Sequence, residues 1–229
     1  MIKQKIKGEV YTIRRIVNNL NRYMEIATPE EIEVGKSWYN EANQFCRRVG
    51  EQYGITLEQA AGLTSVFSPQ TSWTVNKQLV KSFMDSKGKS KVTTMDRVLK
   101  ARRMLKTTDY QEIMDLLSVH ANGSKKTKAF YDSICRPTET DLVVIDRHQI
   151  AASFQRPDAT AALDASLAQI TSIQYDFLSE CTREAARKFN MNYTACQATI
   201  WTVYRRCRNL FEHKQDALDL PGYMEETPF

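Results

Sequence analysis

The chain of 229 residues has no apolar run close to the roughly 20 residues a helix needs to cross a bilayer. Its first residues, Met1 to Lys7, alternate Lys with Ile and Gln and lack the apolar centre of a secretory signal. A protein with no membrane partner, working in the cytoplasm, is the expectation. Cysteine is sparse: Cys46, Cys135, Cys181, Cys196 and Cys207 form no Cys-x-x-Cys pair. An odd, scattered set argues against a disulfide framework, a zinc knuckle or an iron–sulfur site, so reduced thiols and no metal are expected. Internal repeats and low-complexity segments are missing too. Charge is nearly balanced, at +5 overall, which permits a polyanionic partner without demanding one. With 42% apolar and 26% charged residues the chain can bury a core.

Strand patterning is nearly absent as well. The only short β-branched run is Leu142-Val143-Val144-Ile145, too isolated to imply a sheet. Helix starts are common instead. Thr28-Pro29-Glu30-Glu31 joins an N-cap, a Pro at the first helical position and a capping-box Glu. Ile32, Tyr39, Ala42, Phe45, Val49 and Tyr53 then follow one face to a stop at Gly54. Thr56 with Gln59, Thr108 with Gln111 and Thr171 with Gln174 repeat the device. Four such starts, each leading into helix-period apolar residues, predict an all-α protein. Ser86 to Ser90, Arg136 to Asp141 and Gln155 to Asp158 read as loops, and the tail after Leu220 as irregular.

Residues 108–135 read as two helices joined by a tight reversal. Tyr110, Ile113, Met114 and Leu117 make one apolar face; Ala129, Phe130 and Ile134 make the other. Between them, Asn122 and Gly123 tolerate the positive φ of a sharp turn. The start of the second helix would aim unpaired N–H groups outward beside Lys125, Lys126 and Lys128, an anion site suited to a nucleic-acid phosphate. An ordinary helix pair with solvated lysines fits equally well. Downstream, the apolar run delivers Asp146 to the head of a helix running from Arg147 to about Phe154. Such an Asp is a preferred cap, and the same placement fixes an anion able to stabilise positive charge on a sugar or to activate water.

Three segments together resemble the helix–hairpin–helix DNA glycosylases of the endonuclease III and MutY-like type. Thr64 to Lys77 (TSVFSPQTSWTVNK) is similar to the family's Ser-x-Gln helix junction, Asn122 to Ala129 (NGSKKTKA) to its Pro-Gly-Val-Gly-x-Lys-x-Ala hairpin, and Ile145-Asp146-Arg147-His148 to its Val-Asp-x-His. The matched pieces cover roughly residues 56 to 155. Lys125 stands where the family has a second Gly, and Thr127 where bifunctional members carry a nucleophilic Lys, though Lys126 and Lys128 flank it. The family's four-Cys cluster motif is missing.

The resemblance implies a monomeric, two-lobed helical fold with a DNA cleft between the lobes. One lobe would comprise residues 1–54 plus 150–229, the other 55–149, with the hairpin at about 108–135. It implies monofunctional removal of a base flipped from double-stranded DNA, without metal or organic cofactor, leaving an abasic site. Asp146 would be the catalytic carboxylate. Gly123, Ser124, Lys125, Lys126, Thr127 and Lys128 would grip the strand, and Gln70 would fill the gap left by the base. Trp73, more at home in a core, and Arg147 and His148 would lie near the substrate. The compact chain resembles outlying members linked to antiviral defence, which act on phage DNA with hypermodified pyrimidines such as glucosylated hydroxymethylcytosine. Rival expectations are a glycosylase-like enzyme of base hypermodification, a non-catalytic helix–hairpin–helix DNA-binding protein, and a helical protein-interaction domain. Arg97, Arg102, Arg103 and Lys106 read as a solvated basic face, and Gln197, Trp201 and Arg205 as one face of a C-terminal helix.

Overall fold

The structure, a computed structural model, describes residues 3–6, 8–89, 93–118, 124–155 and 170–213. It is mostly helical, in agreement with the all-α expectation. Ten helices occur among the described residues. They are α1 (Ile13–Glu25), α2 (Pro29–Tyr53), α3 (Leu57–Phe67), α4 (Trp73–Asp85), α5 (Met95–Met104), α6 (Tyr110–Leu116), α7 (Ser124–Cys135), α8 (Arg147–Ser153), α9 (Ser172–Lys188) and α10 (Tyr193–His213).

Three of the four capping devices form as expected. Thr28, Thr56 and Thr171 accept from the backbone of Glu31, Gln59 and Gln174, whose side chains reach back to the threonine N–H. The fourth is corrected by one residue: Asp109, not Thr108, caps α6 and accepts from Glu112 N at 2.8 Å. Asp caps at least as well as Thr, and this register buries Ile113 and Met114. The stop at Gly54 holds, with φ +66. Sequence patterning missed a small antiparallel hairpin, β1 (Lys3–Ile6) with β2 (Glu9–Thr12), registered Lys3↔Thr12 to Ile6↔Glu9 around Gly8 at φ +90. Four-residue strands carry too few alternations to stand out.

The described residues fall into two compact units, one drawn from Met1–Trp38 and Thr138–Leu218, the other from Tyr39–Pro137. The divisions lie within α2 and just after α7, earlier than the 54 and 149 read from sequence, so Asp146 belongs to the first unit. In that unit α1 presents Ile16, Leu20, Tyr23 and Met24 at helical spacing to a core containing Leu178, Cys181 and Ala185 of α9 and Cys196, Ile200 and Tyr204 of α10. Glu31, fully buried at the start of α2, receives Arg206 Nε of α10 at 2.7 Å. In the second unit α3 is buried continuously from Gln59 to Phe67 and packs against α4, α5, α6 and α7. A helix apolar on every side belongs at a centre. Tyr110 of α6 donates to buried Asp132 of α7, and Arg136 Nε donates to the same carboxylate at 2.7 Å, clipping the two helices together.

The run Leu142 to Ile145 forms no regular element and joins no sheet among the described residues. Val143, Val144 and Ile145 are nonetheless buried. One side chain bridges two of their backbone groups: Tyr175 Oη of α9 donates to Val143 O at 2.8 Å and accepts from Ile145 N at 3.1 Å. Burial pushes the Tyr175 phenol above its ordinary range, so it stays a donor.

Candidate functional site

In the second unit, Ser68 to Ser72 connect α3 to α4. Gln70 is exposed and holds φ +66. Among the described residues three other non-glycine side chains have positive φ: Lys87, Gln155 and Asn190. Each of those directly follows a helix C-cap, where a left-handed residue closes the helix. Gln70 stands two residues beyond the Ser68 cap of α3, as the third residue of the turn Ser68-Pro69-Gln70-Thr71 that Thr71 N closes on Ser68 O, the turn position that takes a positive φ when proline precedes it. A left-handed conformation costs a glutamine about 1 kcal/mol or more and persists only where its surroundings enforce it.

Those surroundings are hydrogen bonds on both sides. Thr71 Oγ1 donates toward Phe67 O and Ser68 O at 3.0 and 2.9 Å, and Thr71 N reaches Ser68 O at 3.2 Å. On the other side Arg97 Nη1 of α5 donates to Pro69 O at 3.0 Å and to Thr93 Oγ1 at 3.4 Å. Arg97 is thus partly buried and spent on a carbonyl, and Arg102 Nε donates to Gly88 O at 2.8 Å. Arg97 departs from the solvated basic face expected of it, whereas Arg102 is exposed as expected. Sequence reading missed the role of Arg97 because its partner lies 28 residues away on a backbone carbonyl.

Trp73 follows the turn but is only 2% exposed, edge-on to Phe45 at 5.5 Å with Lys77 over its ring at 5.7 Å. It is a core residue of its unit and offers no open face for a base to stack on. At the head of α7, Lys125, Lys126, Thr127 and Lys128 are partly exposed, and the first turn contains no acidic residue. Lys128 Nζ lies 3.9 Å from Asp115 Oδ1 of α6. Ser124 opens the helix; Gly123 and the reversal expected at Asn122 lie outside the described residues.

In the first unit, Asp146 caps α8 as its sequence predicted. Its backbone is extended, and Oδ1 accepts from Gln149 N at 2.8 Å. Its Oδ2 lies 3.6 Å from His148 Nδ1. The Asp146 side chain has no solvent exposure, and that of His148 only 5%. His148 packs against Trp201 and Tyr204 of α10, both at 5.8 Å between ring centres. Gln149 is fully buried and donates to Thr182 Oγ1 at 3.1 Å. Arg147, at the first helical position, is partly buried. Gln197 and Trp201 are buried, and the Arg205 guanidinium lies 4.9 Å from the Trp201 ring centre. A carboxylate facing an open cleft, as expected of Asp146, is therefore corrected: the group is fixed by its cap and closed to water.

The five thiols are free. Burial holds Cys46, Cys181 and Cys196 protonated, with pKa pushed up to about 12. Among the described residues no three His, Cys, Asp or Glu side chains gather in a way that would hold a metal, and no helix is long and apolar enough to cross a membrane. No curated protein and no solved structure matches the sequence. One protein family does, over almost all of the described chain, and its description assigns no activity: this chain belongs to the family of unknown function DUF7178, matched over residues 2–208.

Proposed function

We propose that this protein acts on double-stranded DNA in the manner of a helix–hairpin–helix glycosylase, hydrolysing the N-glycosidic bond of an everted base and leaving an abasic site. The proposal includes the hairpin assignment of α6 and α7, a phage DNA substrate with modified pyrimidines, and a role in antiviral defence. The observation that carries it is Gln70, an exposed glutamine at the left-handed position of the turn that joins α3 to α4, where the resembling family has its base-displacing glutamine. A turn fixed by hydrogen bonds on both sides holds this exposed side chain in one place, where it can make a contact with a partner outside the chain. A side chain that enters the stack as the base leaves is such a contact, since the vacated space must be filled.

Asp146 supplies the chemistry in this reading. An ionised carboxylate beside the deoxyribose stabilises oxocarbenium character and orients the attacking water. Its cap bond to Gln149 N fixes Oδ1 and leaves Oδ2 on the His148 side. Because the carboxylate is closed to water, the reading requires the head of α8 to be uncovered when DNA binds. Lys125, Lys126 and Lys128 supply phosphate contacts at the head of α7.

The closure of Asp146 favours one rival, a non-catalytic DNA-binding protein in which this Asp only caps a helix. Incubation with unmodified, uracil-containing and phage-modified duplexes, followed by alkali and a gel, separates the two. Cleavage in one lane, lost in Asp146→Asn, supports the glycosylase; duplex binding with no alkali-labile site in any lane supports the rival. Altered bases without strand breaks would instead point to an enzyme of base hypermodification.

A further inference from the structure

We infer that Arg97 is the positioning residue that presents Gln70 to DNA, an inference that takes the role of Gln70 from the reading above. The geometry is specific. Pro69 O belongs to the peptide plane that ends at Gln70 N, so the guanidinium that grips it at 3.0 Å sets the plane about which Gln70 φ is measured. On the far side, Thr71 is tied by its hydroxyl to Phe67 O and Ser68 O. Gln70 is therefore the single residue between two clamps, one local and one brought in by α5. The local clamp comes with the turn itself. The distant one ties the turn to a separate helix, and Arg97 also contacts Thr93 Oγ1 just before that helix begins.

Lysine and arginine differ at such a place. Arg97 reaches a carbonyl and a hydroxyl from one nitrogen, Nη1, held at the end of a planar guanidinium, whereas a lysine ammonium keeps the charge and its donors on a shorter, more flexible stem. Methionine keeps most of the length and gives neither. This series separates a positioning role from simple phosphate attraction, since Arg97→Lys preserves the charge.

The test uses the full chain with ¹³C,¹⁵N-glutamine labelling. In Arg97→Met the Gln70 Cα and Cβ shifts and its HN–Hα coupling lose the positive-φ signature, while the melting temperature moves by less than about 3 °C. In Arg97→Lys much of the signature returns. A second arm uses a duplex with 2-aminopurine beside the binding site: Arg97→Met cuts the wild-type fluorescence rise to about a third or less, with anisotropy Kd changed less than about threefold. A Gln70 signature unchanged in Arg97→Met overturns the inference, as does a full fluorescence rise in that variant. If the signature responds but the wild-type protein bound to duplex gives no rise, the glycosylase reading falls and the hold of Arg97 on Gln70 stands.

Discussion

Gly35 of α2 lies against Thr199 of α10 so closely that a Cβ on the glycine would sit 2.0 Å from Thr199 Oγ1 and 2.7 Å from Thr199 N. The hydroxyl can be removed, but the backbone nitrogen cannot. Gly35→Ala therefore forces the two helices apart and is expected to cost about 3 kcal/mol in urea unfolding, with Thr199→Ala restoring only a minor part in the double variant. A cost below about 1 kcal/mol would mean that the helices slide freely at this crossing.

Asp146 gives two substitutions with different readouts. Asparagine preserves the cap bond to Gln149 N, so Asp146→Asn is expected to fall within about 0.5 kcal/mol of the parent in urea, whereas Asp146→Ala loses about 1 kcal/mol. If both unfold alike, the cap contributes little, and loss of base release in Asp146→Asn could not be assigned to charge alone.

The α6–α7 clip should be sensitive to its centre. Asp132→Ala takes the acceptor from the Tyr110 hydroxyl, which keeps its bond from Arg136 Nη2 at 3.1 Å, and frees half-exposed Arg136 from its carboxylate; a loss of about 2 kcal/mol is expected. Tyr110→Phe leaves the Arg136–Asp132 bond in place and should cost about 1 kcal/mol. Guanidinium titrations of both variants measure the difference.

The buried thiols predict a pH dependence. Unfolded, Cys46, Cys181 and Cys196 ionise near 9.0; folded, they hold their protons to about 12. The folded state binds more protons between those values, so stability is fully present below 9.0 and falls as pH rises towards 12. Urea midpoints at rising pH check the direction. A flat profile in the parent, or an unchanged slope in a Cys46→Ala, Cys181→Ala, Cys196→Ala variant, would contradict it.

Duplex binding, if the lysines at the head of α7 contact phosphate, must depend on salt. Lys125→Gln with Lys126→Gln is expected to flatten the slope of log K against log salt by about 2 and to weaken low-salt binding for every sequence alike. An unchanged slope would leave those lysines as solvated surface.

Much of the helical plan was readable because caps are local. Thr28, Thr56 and Thr171 each carry their own partner three residues on, and Gly54 marks its own stop. Asp109 displaced Thr108 because two good caps stood side by side and packing of Ile113 chose between them. The Asp146 cap was equally legible, yet its burial was not: its neighbour His148 packs against Trp201 and Tyr204, which lie more than fifty positions away in sequence. The strain at Gln70 and the bond from Arg97 left no periodic trace. Both rest on where a carbonyl ends up, and carbonyls are the same in every residue.

The first unit is assembled from the two ends of the described chain, with Tyr39–Pro137 running uninterrupted through the other. On a ribosome, α1 must wait for α9 and α10 before its apolar stripe is covered, while α3 and the helices packed on it, α4, α5, α6 and α7, all lie within Tyr39–Pro137. Synthesis therefore sets an order, the inserted portion maturing before the portion that encloses it in sequence, and for that interval Ile16, Leu20 and Met24 are the residues most in need of a chaperone's shelter.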